Sequence, residues 1–219
     1  MKALVKNNLL VLAIYSTVLA VSLIFLLNIG KVQIHVYLNQ LVGNQILDNL
    51  FYYLTYLGDG TVAIVLLSCI IFYNVRLGIC CTISFLAAAL AANAIKYGLY
   101  DEVMRPWHVF QWYVKTPLVV VNSDDLHIHN SFPSGHATQA FAIFMCLSLF
   151  AKNNLNKLLF LAIAILTAFS RTYLSQHWLV DITVGSVLGT ITAFLLFYFI
   201  VHKKKYEKLN KPLLKLNTV

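Results

Sequence analysis

The run Ser170-Arg171-Thr172-Tyr173-Leu174-Ser175-Gln176-His177-Trp178-Leu179-Val180-Asp181 leads directly into ITVGSVLGTITAFLLFYFIV, residues 182–201, which holds no charged side chain. A helix needs about 20 apolar residues to cross the hydrocarbon core of a bilayer, so residues 182–201 read as a membrane span. An arginine, a histidine and an aspartate stand at its boundary, where ionisable groups are costly unless solvated, paired or liganded. The stretch therefore describes a membrane helix with chemistry gathered at one end.

Five further apolar segments lie upstream: residues 9–29, 61–73, 77–95, 137–151 and 158–170. The second is short; it is expected to start earlier, near Leu47, and to break at Gly58-Asp59-Gly60. Residues 9–29 follow Lys2 and Lys6, as the apolar part of a signal peptide would. They exceed its usual length of about 7–15 residues and precede no small-x-small cleavage site, so they are expected to remain as a first span. Composition agrees. Of 219 residues, 60% are apolar and 11% charged, against roughly 45–50% and about 25% in soluble domains. That excludes a disordered tail and a typical soluble enzyme. The net charge of +8 sits between and beyond the apolar runs rather than on a solvated face, which excludes a nucleic-acid-binding domain. Cys69, Cys80, Cys81 and Cys146 lie inside apolar stretches, with neither metal-ligand nor disulfide spacing, and read as small packing residues. The expected fold is all-α: a single domain over residues 1–219 with six transmembrane helices, an outer loop over about 97–132 and a basic tail over about 202–219.

Six spans put both termini on one side. That side carries eleven of the 16 lysines and arginines, among them Lys2, Lys6, Arg76, Lys152, Lys157 and Lys203-Lys204-Lys205. The other carries Lys31, Lys96, Arg105, Lys115 and Arg171. The positive-inside rule then makes the termini cytoplasmic. Seven of the eight acidic residues and six of the seven histidines fall on the outer face. A passive bundle has no reason to collect its titratable groups there. Residues 32–47, with Ile34, Leu38, Leu41 and Val42 near helical spacing, are expected in the outer interface. Trp107, Phe110, Trp112 and Tyr113 suit the headgroup boundary or a substrate contact. Asn93 is expected to bond between helices.

Four helix ends converge on the outer face, at Lys96, at Ser134-Gly135-His136, at Arg171 and at His177 with Asp181. Around an empty pocket Lys96, Arg105 and Arg171 would repel one another. A phosphate dianion resolves the repulsion, because arginine forks bind its oxygens bidentately and lysine adds a compact charge. Ser134 and Gly135 add backbone N–H donors at a helix N-terminus, a natural anion site. His177 and Asp181, four apart, share a helix face, so the carboxylate can fix the tautomer of the ring and leave its other nitrogen as a nucleophile. His136, beside the proposed cradle, is placed to protonate the departing oxygen and then to take a proton from water.

Phe132-Pro133-Ser134-Gly135-His136 and the Ser170-to-Asp181 run resemble the second and third signatures of the type 2 phosphatidic acid phosphatase (PAP2) superfamily. The third, Ser-Arg, five residues, His, three residues, Asp, fits without a gap. The first signature of that family is Lys, six residues, Arg-Pro. Here eight residues separate Lys96 from Arg105-Pro106, so two additional residues must bulge. The resemblance implies a six-helix membrane bundle with a PAP2-like core. It implies that Lys96, Arg105, Ser134, Gly135 and Arg171 hold the phosphate, that His177 forms a phosphohistidine, that His136 is the general acid and that Asp181 orients His177. No metal and no cofactor is required, since the three cations neutralise the charge that metal ions handle elsewhere.

The implied partner is a lipid phosphate held in the phospholipid bilayer: undecaprenyl diphosphate, phosphatidylglycerophosphate, phosphatidic acid or a lipid A phosphate. The implied location is a bacterial inner (plasma) membrane, with the site facing the periplasm or the exterior. A phosphotransferase discharging the same phosphohistidine to an alcohol is the nearest alternative. A phosphate or lipid transporter would show polar residues at mid-membrane and internal repeats, and neither is evident. Asp124, Asp125, His127 and His129 read as a polar rim in preference to a metal site.

Overall fold

The apolar runs do form helices, and polar caps carry several of those helices beyond the runs. The computed structural model describes residues 1–114, 116–122, 126–202 and 204–213. In chain order the helices are α1 (Lys2–Asn7), α2 (Leu9–Asn28), α3 (Lys31–Asn39), α4 (Gln45–Leu54), α5 (Gly60–Tyr73), α6 (Val75–Leu99), α7 (Pro106–Val109), α8 (Gly135–Phe150), α9 (Asn154–Tyr173) and α10 (Leu179–Leu196). Asn44, Asp59, Asn74, Ser134 and Asn153 each accept a backbone N–H at the start of a helix, satisfying donors that would otherwise be orphaned. For this reason α6 and α9 start before the apolar runs expected at residues 77 and 158.

The helices α2, α6 and α9 and the continuous run Leu179–His202 are long and apolar enough to cross a membrane. Gln45–Gly58 and Gly60–Tyr73 meet that standard together, bent by 66° at the glycine–aspartate break expected from the sequence. The remaining apolar helix, α8, has 16 residues, about 24 Å at 1.5 Å per residue.

Short as it is, α8 is the axis of the molecule, packed against α6, α9 and α10. Two glycines one helical turn apart on α10 allow that approach. A Cβ at Gly185 would stand 2.7 Å from the Ser134 carbonyl oxygen, and one at Gly189 would collide with that of Thr138. On the periphery, α2 buries only Val11 and Tyr15 and turns Leu23, Ile24 and Leu27 outward. A helix apolar all round suits hydrocarbon.

The two ends of the bundle differ in chemistry. At one end Lys157 Nζ donates to the Asn7 carbonyl (2.5 Å), Arg76 Nε to that of Ile200 (2.8 Å) and Val75 N to that of Lys211 (3.1 Å). The described part of the basic tail thus folds back on α6. At the other end lie the C-termini of α6 and α9, the N-termini of α8 and α10, and a cap made by α3, α4 and the loop after α6. The Tyr173 hydroxyl donates to Asp48 Oδ1 at 2.5 Å, tying α9 to α4.

Two expectations need correction. Phe110 does not reach a headgroup layer: it is buried against His35 and Trp178, while Trp112 and Tyr113 are exposed. Asn93 faces outward from α6 rather than towards a neighbouring helix.

Candidate active site

Three cationic side chains come to one cavity from three directions. Lys96 arrives from the last turn of α6, and Arg171 from the last turn of α9. Arg105 stands just before Pro106, the first residue of α7. Lys96, Arg105 and Arg171 are 8%, 8% and 6% exposed. They line a cavity of about 320 Å³ together with Gly135, His136 and His177. The longer spacing between Lys96 and Arg105 is taken up by carrying α6 on to Leu99 and by a turn at Asp101-Glu102, and both side chains still reach the cavity.

The two arginines are held by neighbours. Arg105 Nε donates to the His129 carbonyl (3.0 Å) and Nη1 to that of Gln176 (3.3 Å). Arg171 Nη1 donates to Thr55 Oγ1 (2.6 Å), and its Nη2 to Gln176 Oε1. A guanidinium fixed in this way is pre-organised for a bidentate anion.

His177 sits on a tight connection between α9 and α10. Ser175 adopts a left-handed conformation (φ 57°), and the N–H groups of Gln176 and His177 both donate to the Arg171 carbonyl (3.0 and 3.1 Å). The loop folds back over the end of α9, satisfying a carbonyl the helix leaves open. His177 Nδ1 lies 3.3 Å from Asp181 Oδ2. That oxygen also accepts from Trp178 N (2.9 Å) and Ser131 Oγ (2.5 Å). Facing an acceptor, Nδ1 carries the proton and Nε2 keeps its lone pair. Burial, reinforced by the charges of Arg105, Arg171 and Lys96, pushes the His177 imidazole well below the ordinary histidine range. The ring is therefore neutral at physiological pH, the form a nucleophile requires.

Not every site residue expected from the sequence is placed alike. Ser134 is fully buried and engaged in the helix: its Oγ accepts from Ala137 N (3.4 Å) and its N–H donates to the Asp181 carbonyl (3.1 Å). Gly135, next to it, does line the cavity. His127 also lines the cavity, while Asp124 and Asp125 lie outside the described residues. Among the described residues no three His, Cys, Asp or Glu side chains gather in a metal-holding group.

Other contributors were not read from the sequence. Thr55, Tyr52, Tyr56 and Asp59 form the wall on the α4–α5 side, and Gln176 bridges the two arginines. Ser131 holds Asp181 across 50 positions of sequence. Beneath the loop that carries His177, His35 Nε2 lies 3.1 Å from Ser175 Oγ, with its ring against Phe110 and Trp178.

Known proteins share this arrangement of helices. The model of one family, the PAP2 superfamily, matches residues 76–205, a stretch that contains all eight site residues expected from the sequence. The crystal structure of Aquifex aeolicus LpxE superposes with a TM-score of 0.66 at 22% identity, covering 76% of this chain and 94% of that one. That of the first transmembrane PAP2 type phosphatidylglycerolphosphate phosphatase from Bacillus subtilis gives 0.62 at 21% identity, covering 89% and 98%. No curated protein matches the chain in sequence.

Proposed function

The chain belongs to the PAP2 superfamily, and from that premise and the cavity's chemistry we propose that it is an integral-membrane lipid phosphatase acting through a phosphohistidine. The observation that carries this reading is the meeting of Lys96, Arg105, Arg171, His136 and His177 in one cavity, with His177 Nδ1 facing Asp181. Nearly buried cations crowded together call for an anion, and a neutral imidazole aimed among them calls for an electrophile bound to that anion.

In the proposed reaction the cations and the backbone N–H of Gly135 hold the phosphoryl oxygens, while Ser134, whose N–H is taken by the Asp181 carbonyl, caps the helix that presents it. His177 Nε2 attacks phosphorus, the P–O bond to the lipid breaks, and His136 gives its proton to the departing oxygen. Asp181 stabilises the His177 ring as it takes on positive charge. Water then attacks the phosphohistidine, passing a proton to His136, and the P–N bond breaks to release inorganic phosphate. The three cations supply the charge neutralisation, so turnover is expected to survive strong chelators.

All six apolar units cross the membrane in this reading, with α8 as the short central one. An even number of crossings puts the termini together on the lysine-rich cytoplasmic side. The cavity then opens at the outer face, the periplasm or exterior of a bacterial plasma membrane, where a lipid chain stays in the bilayer while its headgroup enters. The substrate class is a lipid phosphomonoester or the terminal phosphate of a lipid diphosphate. Phosphatidylglycerophosphate, phosphatidic acid, undecaprenyl diphosphate and lipid A phosphate are the candidates, and the Bacillus subtilis relative is a phosphatase of the first.

The test is phosphate release from those four lipids by the purified protein and by His177→Ala. We expect release from at least one by the wild type and none by the variant, which should remain folded. Full turnover by His177→Ala removes the proposed nucleophile. Transfer of the phosphoryl group to an added alcohol in preference to water makes the protein a phosphotransferase.

A further inference from the structure

The Gly58-Asp59-Gly60 break does more than bend a span. A Cβ at Gly58 would stand 2.9 Å from both Cβ and O of His136, so the turn is pressed onto the backbone of that histidine as only glycine allows. The next residue, Asp59, lines the same cavity as His136, and among the described residues it is the one acidic side chain that does. A carboxylate on the wall of a phosphate cavity repels the substrate, so its presence needs a reason. Helix capping is an insufficient one. Asp59 Oδ1 accepts from Thr61 N at 2.8 Å, but asparagine or serine caps a helix as well without the charge. His136 lines the same cavity, within electrostatic reach of that charge and of the charges of Arg171, Arg105 and Lys96.

We propose that Asp59 is the positioning residue of His136, the counter-charge that lets this imidazole carry its proton among three cations and deliver it to the leaving oxygen. The site then holds two histidine–carboxylate pairs with opposite tasks. Asp181 faces the neutral ring that attacks, across 3.3 Å; Asp59 shares a cavity wall with the ring that donates. As the His177–phosphorus bond forms and the ester P–O bond breaks, the His136 proton moves to the departing oxygen. When water attacks and the P–N bond breaks, its proton returns to His136 and Asp59 again balances the charge.

This rests on the phosphatase reading, and the experiment separates the two. A general acid matters for a poor leaving group and hardly at all for a good one. The full-length protein, Asp59→Asn and Asp59→Ser are compared on dodecyl phosphate, which departs as an alkoxide, and on 4-nitrophenyl phosphate, which departs as a stable phenolate. Both variants keep the helix cap. Their kcat/KM should fall about 30- to 100-fold on the alkyl ester and less than about threefold on the aryl ester. Inhibition by vanadate should be unchanged or tighter, since a negative charge has left the cavity. Asp59→Glu should recover part of the alkyl-ester rate. Equal losses on both esters, or no loss on either, overturns the role of Asp59 and leaves the phosphatase reading standing. A wild-type protein that releases phosphate from no ester overturns the phosphatase reading and this inference with it.

Discussion

Ser131 Oγ donates to Asp181 Oδ2 at 2.5 Å, and the same oxygen faces His177 Nδ1 at 3.3 Å. The carboxylate that orients the proposed nucleophile is itself held by a hydroxyl from the far end of the outer loop. Asp181 is almost fully buried, and a buried carboxylate is directional only when its oxygens are occupied. Ser131→Ala removes one charge-assisted hydrogen bond, an interaction of about 1.5–3 kcal/mol. We expect kcat for phosphate release to fall roughly tenfold with KM nearly unchanged, because the cations proposed to bind phosphate are untouched. An unchanged kcat would mean that Trp178 N suffices to hold Asp181.

Stability should depend on pH through two buried histidines outside the spans. Burial lowers the His35 pKa to about 4, and burial with the neighbouring cations lowers that of His177. Both lie below the ordinary 6.5. Between those values the unfolded chain takes up protons that the folded protein refuses, so stability is full above pH 6.5 and is lost as pH falls below it. The His35 share is about 3 kcal/mol by the time its folded pKa is reached. Thermal unfolding in detergent from about pH 7.5 to about 4.5 should show Tm decreasing, with a shallower slope for His35→Gln. Equal slopes would remove His35 from the account.

Close helix contact makes Gly189 intolerant of bulk. Any Cβ there collides with the Thr138 carbonyl on α8, and overpacking a close-packed helix pair costs about 1–3 kcal/mol or more. Gly189→Leu should lower Tm by several degrees and reduce activity, since α8 carries His136 and Gly135. Gly60→Ala, where a Cβ meets nothing within 4 Å, is the control and should leave Tm nearly unchanged.

Orientation is tested by labelling. Glu102 and Lys208 are both exposed, at opposite ends of the bundle. In a cysteine-free background on intact cells, Glu102→Cys should react with a membrane-impermeant maleimide and Lys208→Cys should not. The reverse pattern would turn the cavity towards the cytoplasm and change the substrate list.

Much of this protein was legible residue by residue. The apolar runs announced the helices because burying backbone in hydrocarbon requires internal hydrogen bonding. The break at Gly58-Asp59-Gly60 was legible because glycine and aspartate end and restart helices. The third signature was legible because Arg171, His177 and Asp181 lie close together in sequence and their spacing sets their relative position on one loop and one helical turn. Phe110 misled, since an aromatic residue in an outer loop carries the same local signal whether it anchors to lipid or fills a core.

Composition, the apolar runs and short-range spacing thus determined the all-α class of fold and the pairing of His177 with Asp181. Only tertiary structure decided that Ser131 grips Asp181, that Thr55 and Gln176 aim Arg171, that Ser134 caps α8, and that Asp59 shares a wall with His136. The reason is physical: local sequence sets backbone conformation and the cost of burial, whereas a contact between distant residues depends on how closely two helices can approach, which here is set by glycines at 58, 185 and 189.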